Sequence, residues 1–387
     1  MANEVVDGSN KIVRKVNLAK PMITQEDIDG VVAVLKSGWL SLGPKITEFE
    51  NNFAAKIGAK YAIGVNSGTS GLHLCIKALG IGKGDEVITS PFSFVASSNC
   101  ALYEGAKPVF VDVKEETFNL DVNLIEAAIT ERTRAIVVPH IFGQSCDMTR
   151  LMEIARERNL YVIEDACESI LAKHSGKNLG TFGDVSVFAF YPNKQMTTGE
   201  GGMILTDNKQ IADLCRSLTN QGRSNNMQWL THDKLGYNYR LDEMSASLGV
   251  TQFSRIDSTV SSRQTLAALY GHLLSGTHGL VLPSAMNRNE LSWFVYPIRV
   301  PAQIRDQFLS FLHSRGVAAK AYFFPCIHMQ PYFQRDFGYS LGDFPVAEKL
   351  SFETVVIPFY PQMQVDEVDQ VVQAVKAALA ELLPVRL

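Results

Sequence analysis

The sequence is short of the features that mark membrane proteins, disulfide-stapled secreted domains and nucleic-acid-binding proteins. In its 387 residues, no stretch approaches the roughly 18 consecutive apolar residues of a membrane-spanning helix. The 6 cysteines are scattered and form no CxxC pair, which favours unpaired, reduced thiols. Lysine and arginine total 36 against 40 aspartates and glutamates, so no basic excess attracts nucleic acid or an anionic membrane. We therefore expect a cytoplasmic protein with no nucleic-acid or membrane partner.

The segment between residues 60 and 215 alternates short apolar runs with amphipathic stretches. Strands are predicted at residues 61–65, 85–89, 108–113, 135–140, 160–164, 185–190 and 203–206. Helices are predicted at residues 71–79, 96–104, 122–129 and 148–158. Apolar strands joined by helices are typical of a buried, largely parallel sheet that is covered on both faces. The last two strands are joined by a loop, which predicts some mixing of strand direction.

The pattern changes after residue 206. A helix at 209–218 and a polar loop at 220–233 lead into long helical patterns at 242–274. An aromatic strand at 293–300, a helix at 303–314, a strand at 319–324 and a helix at 365–383 follow. We predict an N-terminal arm at residues 1–20, a large domain at 21–250 and a small α+β domain at 251–387.

Three separated segments carry the chemical signal, and the first is a small-residue turn at residues 66–71, NSGTSG, between a predicted strand and helix. Unpaired backbone N–H groups and the helix dipole make such a turn an anion site. The glycine spacing is neither GxGxxG nor a Walker A loop. Taken alone, a turn of this kind is more often only an N-cap.

The second and third segments supply acids and a lysine. Glu164 and Asp165 close a predicted strand, where an α/β sheet presents its ligand crevice, although a pair of acids can equally solvate a strand end. Lys194 follows an apolar and aromatic strand, an environment that disfavours the charged amine and makes it nucleophilic. A lone lysine after a strand is more often a snorkelling surface residue. The order of anion turn, acid and lysine matches the needs of pyridoxal phosphate (PLP).

The motifs that surround these segments resemble the DegT/DnrJ/EryC1/StrS family. The similar stretches are SGTSGLHL, GDEVITSPFSFVAS, VIEDACES, GDVSVFAFYPNKQMTTGEGG, GYNYRLDEMSASLG and YFFPCIHMQPYF. The resemblance implies an α/β protein of the PLP-dependent transferase fold type I. In that fold a large, mostly parallel seven-stranded sheet domain is joined to a smaller α+β C-terminal domain. It also implies an aminotransferase that acts on a nucleotide-linked keto sugar.

Matched position by position, the resemblance assigns roles around the cofactor. Lys194 would form the Schiff base and carry the proton, and the cofactor would alternate between PLP and its amino form, pyridoxamine phosphate (PMP). Asp165 would pair with the pyridinium nitrogen, and Phe94 would stack on the ring. Gly68 and Thr69 would donate to the phosphate.

The resemblance also implies a partner subunit and a sugar-nucleotide side of the site. Asn238 matches a residue that reaches the phosphate from the other subunit, which implies a homodimer with shared active sites. The substrate side would include Trp39, Ser41, Gly43, Arg240 and His328. The histidines show no metal-ligand spacing, and we predict no metal site.

Two positions depart from the family pattern. Many members have a phosphate-binding serine where this chain has Ala189, and Ser67, Ser70 or Ser186 are candidates to compensate. Many members carry Gln or His near the cofactor's 3-oxygen, where this chain has Glu168. A glutamate there resembles the perosamine-synthase-like branch, which aminates C4 of a 4-keto-6-deoxy sugar. Because a carboxylate would repel the cofactor's phenolate, we expect Glu168 to be protonated or directed at the substrate.

The sequence therefore predicts an aminotransferase that moves an amino group from an amino acid, with glutamate as the expected donor, to a nucleotide-linked 4-keto-6-deoxy sugar. The alternatives are amination at C3, a PLP- or PMP-dependent sugar dehydratase on the same fold, and a non-enzymatic PLP-binding regulator. Dehydratases of this type lack the Schiff-base lysine, so Lys194 weighs against the second. No basic helix-turn-helix supports the third. The nucleotide and the pathway, whether O-antigen, capsule or antibiotic sugar, stay open.

Overall fold

A seven-stranded sheet forms the centre of the computed structural model, which describes residues 4–6, 12–224, 231–285 and 289–383. A short antiparallel hairpin of β1 (Glu4–Val6) and β2 (Ile12–Arg14) precedes it. The seven strands of the sheet are β3 (Tyr61–Val65), β4 (Glu86–Thr89), β5 (Lys107–Phe110), β6 (Thr133–Pro139), β7 (Tyr161–Asp165), β10 (Val185–Ala189) and β11 (Gly202–Thr206). All seven lie within or next to predicted strands, so the predicted sheet is confirmed.

The strand order is β3-β11-β10-β7-β6-β4-β5. Strand β11 pairs antiparallel with both of its neighbours, whereas the other pairs in the sheet are parallel. The predicted mixing of direction at the last two strands is therefore confirmed. Since β3, β7 and β10 run in the same direction, their carboxyl ends lie at one edge of the sheet.

Helices cover both faces of this sheet. In the described ranges the α-helices are α1 (Gln25–Ser37), α2 (Pro44–Ile57), α3 (Gly68–Ala78), α4 (Ala96–Tyr103), α5 (Ile125–Ala128), α6 (Met148–Arg158), α7 (Lys209–Thr219), α8 (Glu243–Ser254), α9 (Ile256–Leu274), α10 (Arg305–Ser314), α11 (Pro331–Phe337), α12 (Pro345–Glu353) and α13 (Val365–Leu382). Short 3-10 turns lie at Val122–Leu124, Ile141–Gly143 and Ile327–Met329. Leucine, isoleucine and cysteine side chains of α3, α4 and α7 pack on one face of the sheet. Phenylalanines of α2 and α8 pack on the opposite face, beside α6.

A second, antiparallel sheet lies in the C-terminal part, in the order β13 (Tyr296–Arg299), β15 (Thr354–Ile357), β14 (Lys320–Ala321). Its core is built with α9, α10 and α13 and includes the fully buried Tyr270 and Phe308. A small third sheet joins β8 (Lys173–His174), β9 (Lys177–Asn178) and β12 (Asn289–Glu290). The α/β fold with a large, mostly parallel sheet is confirmed.

Several elements differ from the prediction. The predicted strand at 319–324 is reduced to β14, and the predicted helix at 122–129 is a 3-10 turn followed by the single turn of α5. The long helical pattern at 242–274 is broken at Arg255 into α8 and α9, so the predicted domain boundary at residue 250 falls inside α8. The predicted polar loop at 220–233 lies partly outside the described residues, at 225–230.

The cysteines are unpaired, as predicted: five are buried and Cys167 is half-buried. Within the described ranges, no helix is long and apolar enough to cross a bilayer.

Candidate active site

The carboxyl ends of β3, β7 and β10 bring the three predicted segments to one edge of the sheet. The 66–71 turn follows β3, Asp165 ends β7, and Lys194 lies in the loop after β10. The segments touch each other closely. A Cβ atom added to Gly68 would lie 2.8 Å from the Cβ of Ala189 and 2.9 Å from the Sγ of Cys167. No side chain larger than hydrogen fits at Gly68, and this lets the turn pack against the ends of both other strands.

The first turn of α3 is arranged as an anion site. Ser67 is the N-cap, and its Oγ accepts a hydrogen bond of 3.1 Å from the N–H of Ser70. The Ser70 hydroxyl donates to Oδ1 of Asn66 at 2.7 Å. The N–H groups of Gly68 and Thr69 have no partner among the described residues, as expected for the open end of a helix. These two donors carry the positive end of the helix dipole.

The Asp165 carboxylate is oriented by two hydrogen bonds at the edge of the sheet. Its Oδ2 accepts 2.6 Å from the hydroxyl of Ser97, which is itself 2.8 Å from Ser93. Its Oδ1 accepts 3.2 Å from the N–H of Cys167. Asp165 is buried, so its carboxylate is shielded from water. Each carboxylate oxygen can accept more than one hydrogen bond, so the group can still bind a further donor. The sequence prediction missed Ser97, although it lies in the SFVAS stretch.

Phe94 lies in the same turn as the serine that holds Asp165. The N–H of Ser97 donates to the carbonyl of Phe94 at 3.2 Å, just before α4. The Phe94 ring is 62% exposed, unusual for a phenylalanine beside a cleft. Ser97 therefore links the exposed Phe94 to the Asp165 carboxylate at the same edge of the sheet.

The Lys194 amine lies between a carboxylate and an aromatic ring. Its Nζ is 3.4 Å from Oε1 of Glu168 and 3.9 Å from the centre of the Phe294 ring. The other carboxylate oxygen of Glu168 accepts 3.0 Å from the N–H of Phe142. Burial raises the pKa of the Glu168 carboxyl, and the Lys194 ammonium and the Phe142 N–H offset this only in part.

Glu164, the other acid of the motif, points into the protein. Its carboxylate accepts from the N–H groups of Gly180, Phe182 and Gly183 and lies 3.2 Å from Nε2 of His140. Burial acts to raise the pKa of Glu164, but these partners outweigh it and the pKa is lowered. Glu164 therefore supports the loop before β10, and of the two acids that end β7 only Asp165 faces the crevice.

Known proteins resemble this chain along nearly its whole length. The DegT/DnrJ/EryC1/StrS aminotransferase family matches residues 21–376. The chain belongs to this family.

Two relatives are more than a third identical to this chain, and a solved structure superposes closely on it at lower identity. GDP-perosamine synthase of Escherichia coli O157:H7 is 36% identical over 352 residues, which cover 88% of this chain and 90% of that protein. The dTDP-3-amino-3,4,6-trideoxy-alpha-D-glucose transaminase of Micromonospora megalomicea subsp. nigra is 35% identical over 361 residues, 92% of this chain and 95% of that protein. The solved PLP form of Spr1654 from Streptococcus pneumoniae superposes with a TM-score of 0.90 at 25% identity, covering 95% of this chain and all 100% of that one.

Ser186 cannot replace the serine that many family members have at the position of Ala189. Successive side chains of a strand point to opposite faces of the sheet, so Ser186 and Ala189 face opposite ways. The Ser186 hydroxyl is buried and donates to the carbonyl of Gly180 at 2.8 Å. The structure therefore does not support the predicted cofactor contact of Ser186. Ser67 lies in the turn itself and stays a candidate.

The predicted Trp39–Gly43 loop is held by a glutamate that the sequence prediction missed. The buried carboxylate of Glu243 accepts from the N–H of Gly43 at 3.0 Å and from two further N–H groups in the first turn of α2. The Trp39 indole is 58% exposed and donates to the carbonyl of Ser41 at 3.0 Å. Glu243 thus caps α2 from a distance of 200 residues in sequence and fixes the loop with its tryptophan outward.

Asn238 lies in an extended segment beside the anion turn. The carbonyl of Tyr239 accepts from the N–H of Asn66 at 2.8 Å. The rings of Tyr237 and Tyr239 stack at 4.8 Å on one side of the segment, while Asn238 is exposed. Arg240 donates to Oδ1 of Asn220 at 2.8 Å. Asn238 is therefore available to a molecule outside this chain.

His328 is placed differently from its predicted role on the sugar side. The imidazole is fully buried, with Nε2 3.0 Å from Oε1 of Glu348 and its ring against Phe344. Such burial does not support a direct substrate contact, and His328 instead braces the segment at Ile327–Met329.

In the part of the chain that the structure describes, no group of three or more His, Cys, Asp or Glu residues could hold a metal ion.

Replacing Glu168 by glutamine is expected to stabilise the chain without cofactor at alkaline pH. The folded pKa is raised, so the ionised carboxylate is a net cost to folding. The cost is absent at pH values below the pKa of Glu168 in the unfolded chain, where the carboxyl is protonated in both states. It is complete at pH values above the raised pKa of the folded chain. Urea unfolding across pH 4 to 8 should therefore give Glu168→Gln an advantage over the wild type that grows with pH. The exposed Glu116→Gln is the control, and a Glu168→Gln variant less stable than wild type at pH 8 would contradict the account.

Proposed function

We propose that this protein is a PLP-dependent aminotransferase that moves an amino group from glutamate to C4 of a nucleotide-linked 4-keto-6-deoxy sugar. The convergence of Lys194, Asp165 and the open end of α3 at one sheet edge carries this proposal. Its products would enter deoxyamino-sugar and polysaccharide biosynthesis in the cytoplasm, with O-antigen as one destination.

The residues at this edge fit the cofactor. The N–H groups of Gly68 and Thr69, which have no partner among the described residues, would suit its phosphate. The Asp165 carboxylate suits a protonated ring nitrogen, and the exposed Phe94 ring suits the pyridine face. The Lys194 amine lies between an aromatic ring and a carboxylate, where it suits the aldehyde of the cofactor.

When bound, PLP supplies an aldehyde carbon that reacts with amines and a ring that withdraws electrons from the substrate carbon. Asp165 would hold a proton on the ring nitrogen, with its carboxylate oriented by the hydroxyl of Ser97. Lys194 would hold the cofactor through its Nζ, and the free amine would carry a proton to or from the substrate carbon. Glu168 is close enough to take up or return a proton at that same nitrogen.

Amination at C4 is favoured over C3 by Glu168, the residue that resembles the perosamine-synthase-like branch. The GDP-perosamine synthase and the dTDP-3-amino sugar transaminase are similar to this chain to nearly the same degree, at 36% and 35% identity. The C3 reaction therefore remains the second candidate. The dehydratase alternative is disfavoured by Lys194.

The site is completed by a second copy of the chain in this proposal. Asn238 and Arg240 lie in a segment whose tyrosine side packs inward, so the exposed Asn238 amide suits a phosphate held by the partner subunit. Trp39, Ser41 and Gly43 form the sugar-nucleotide side, on the loop that Glu243 fixes.

A panel of UDP-, GDP- and dTDP-linked 4-keto-6-deoxy sugars tests the reaction. With glutamate and PLP, the wild type should form 4-amino sugar from one member of the panel, identified by mass spectrometry and NMR of the product. Lys194→Ala should lose the rate by about 10³-fold or more, because the amine proposed to hold the cofactor and carry the proton is removed. Product aminated at C3, or a variant as fast as the wild type, would contradict the proposal.

Restoring the hydroxyl at position 189 should tighten cofactor binding. The Ala189 side chain points at the first turn of α3, so a serine hydroxyl there can donate to the phosphate. A charge-assisted hydrogen bond predicts a dissociation constant for PLP about tenfold lower in Ala189→Ser. Ala189→Cys, which replaces the hydroxyl by a thiol that is only a weak donor, is the control in the same fluorescence titration. Equal affinity of the serine variant and the wild type would exclude a phosphate at this place.

Mixing two inactive variants tests the shared site. If Asn238 acts in the partner's site, a heterodimer of Lys194→Ala and Asn238→Ala chains has one intact site and one doubly altered site. An equal mixture, unfolded and refolded together, should recover about a quarter of the wild-type activity. Each variant refolded alone is the control. No recovery would mean that Asn238 acts within its own chain.

A further inference from the structure

Arg263 on α9 is a fully buried arginine whose hydrogen-bond acceptors are backbone carbonyls. In the described part of the chain, no carboxylate lies at ion-pair distance from its guanidinium, and burial alone lowers its pKa, to about 10. The side chain therefore stays charged at neutral pH without a counter-ion. A buried charge destabilises the fold unless hydrogen bonds compensate for its lost hydration. The groups that bind Arg263 therefore indicate its role.

The carbonyls that Arg263 binds belong to two segments that meet at the candidate active site. One terminal nitrogen donates to the carbonyls of Trp293 at 3.2 Å and Phe294 at 3.1 Å. The other donates to the carbonyl of Lys194 at 3.4 Å, a longer and weaker bond. The guanidinium thus joins the lysine loop to the segment that carries the Phe294 ring.

The ring of Phe294 is one of the two groups that flank the Lys194 amine, at 3.9 Å. The other group is Glu168. The backbone of Phe142 forms hydrogen bonds with both residues. The N–H of Phe294 donates to the carbonyl of Phe142 at 3.1 Å, while the N–H of Phe142 donates to Glu168. At the adjacent Gly143, φ is +85° and an added Cβ would lie 2.7 Å from the N–H nitrogen of Trp293, so only glycine allows this approach.

A purely structural explanation would have Arg263 cap three carbonyls and nothing more. Arg305 on α10 is a useful comparison, because it is also buried and also lies over an aromatic ring, that of Phe324 at 4.3 Å. Arg305, however, has the carboxylate of Asp306 at 2.7 Å. Arg263 has no carboxylate partner among the described residues. Its three carbonyl acceptors belong to Lys194 itself and to the segment that contacts the lysine amine.

We propose that Arg263 is a positioning residue for Lys194, and that it acts by holding the 293–294 backbone so that the Phe294 ring lies against the lysine amine. This inference rests on the proposed function only in taking Lys194 as the residue that bonds to PLP. It predicts that Arg263 and Phe294 work as one unit.

The test measures bond formation between Lys194 and PLP in the full chain freed of cofactor. The amine condenses with the aldehyde, so a C=N bond forms, the C=O bond breaks and one water leaves. The rate is followed by the visible absorption of the product, and borohydride reduction with peptide mass spectrometry gives the yield on Lys194. Thermal unfolding of each chain without cofactor is recorded in parallel, which separates loss of position from loss of fold.

Arg263→Lys and Phe294→Leu should each slow the reaction by about 10- to 100-fold, the effect of misplacing a reacting group. Because the two residues act as a unit, the double variant should be no slower than the slower single variant. Arg305→Lys and Phe359→Leu are the matched controls. The centre of the Phe359 ring lies 5.5 Å from the Arg263 guanidinium, and Arg305 packs against Phe324. Neither residue flanks the Lys194 amine, so both control variants should react at the wild-type rate.

Two outcomes would overturn the inference alone: Arg263→Lys reacting as fast as the wild type, or single-variant effects that multiply in the double variant. A wild-type chain that forms no adduct on Lys194 would overturn the proposed function as well. A wild type that forms the adduct but aminates no sugar would overturn only the proposed substrate.

Discussion

The parallel direction of β3, β7 and β10 is the constraint on which the candidate site depends. Parallel strands end at the same edge of a sheet, so residues about 30 to 130 positions apart in sequence are delivered to one place. Antiparallel β11 runs between β3 and β10 and returns the chain from the lysine loop. A Cβ atom added to Gly202, at its start, would lie 2.8 Å from the carbonyl of Ser67. The anion turn and the lysine loop therefore cannot move independently.

Buried charge around this edge is satisfied in three different ways. Glu164 is bound by His140 and by three backbone N–H groups, and its pKa is lowered in spite of full burial. Glu168 has fewer partners, and its pKa is raised. Arg263 has only carbonyls. The first arrangement is typical of a structural support. Glu168 instead places a carboxyl of raised pKa beside the Lys194 amine, as expected where a site needs a group of adjustable protonation. Arg263 keeps a fixed charge on the backbone carbonyl of Lys194.

Much of this architecture could be predicted from local sequence. The seven strands were predicted because apolar runs of β-branched and aromatic residues alternate with amphipathic helices. Helices α1, α2, α11 and α12 were missed, and the long pattern at 242–274 hid the break at Arg255. The structure does not support the assignment of Ser186, because the face of the sheet on which a hydroxyl lies depends on the register of the strand. His328 was expected at the substrate, but its imidazole is buried against Glu348.

The sequence by itself determined the family and the residues proposed for the chemistry, through the order of the small-residue turn, the strand-end acid and the lysine. Only the tertiary structure decided which of Glu164 and Asp165 faces the crevice, and that Glu243 caps a helix 200 residues away. It also decided that Arg263 and Phe294 meet Lys194. The physical reason is that hydrogen bonds and ring contacts between distant segments follow from strand pairing and packing, which leave no local pattern in the sequence.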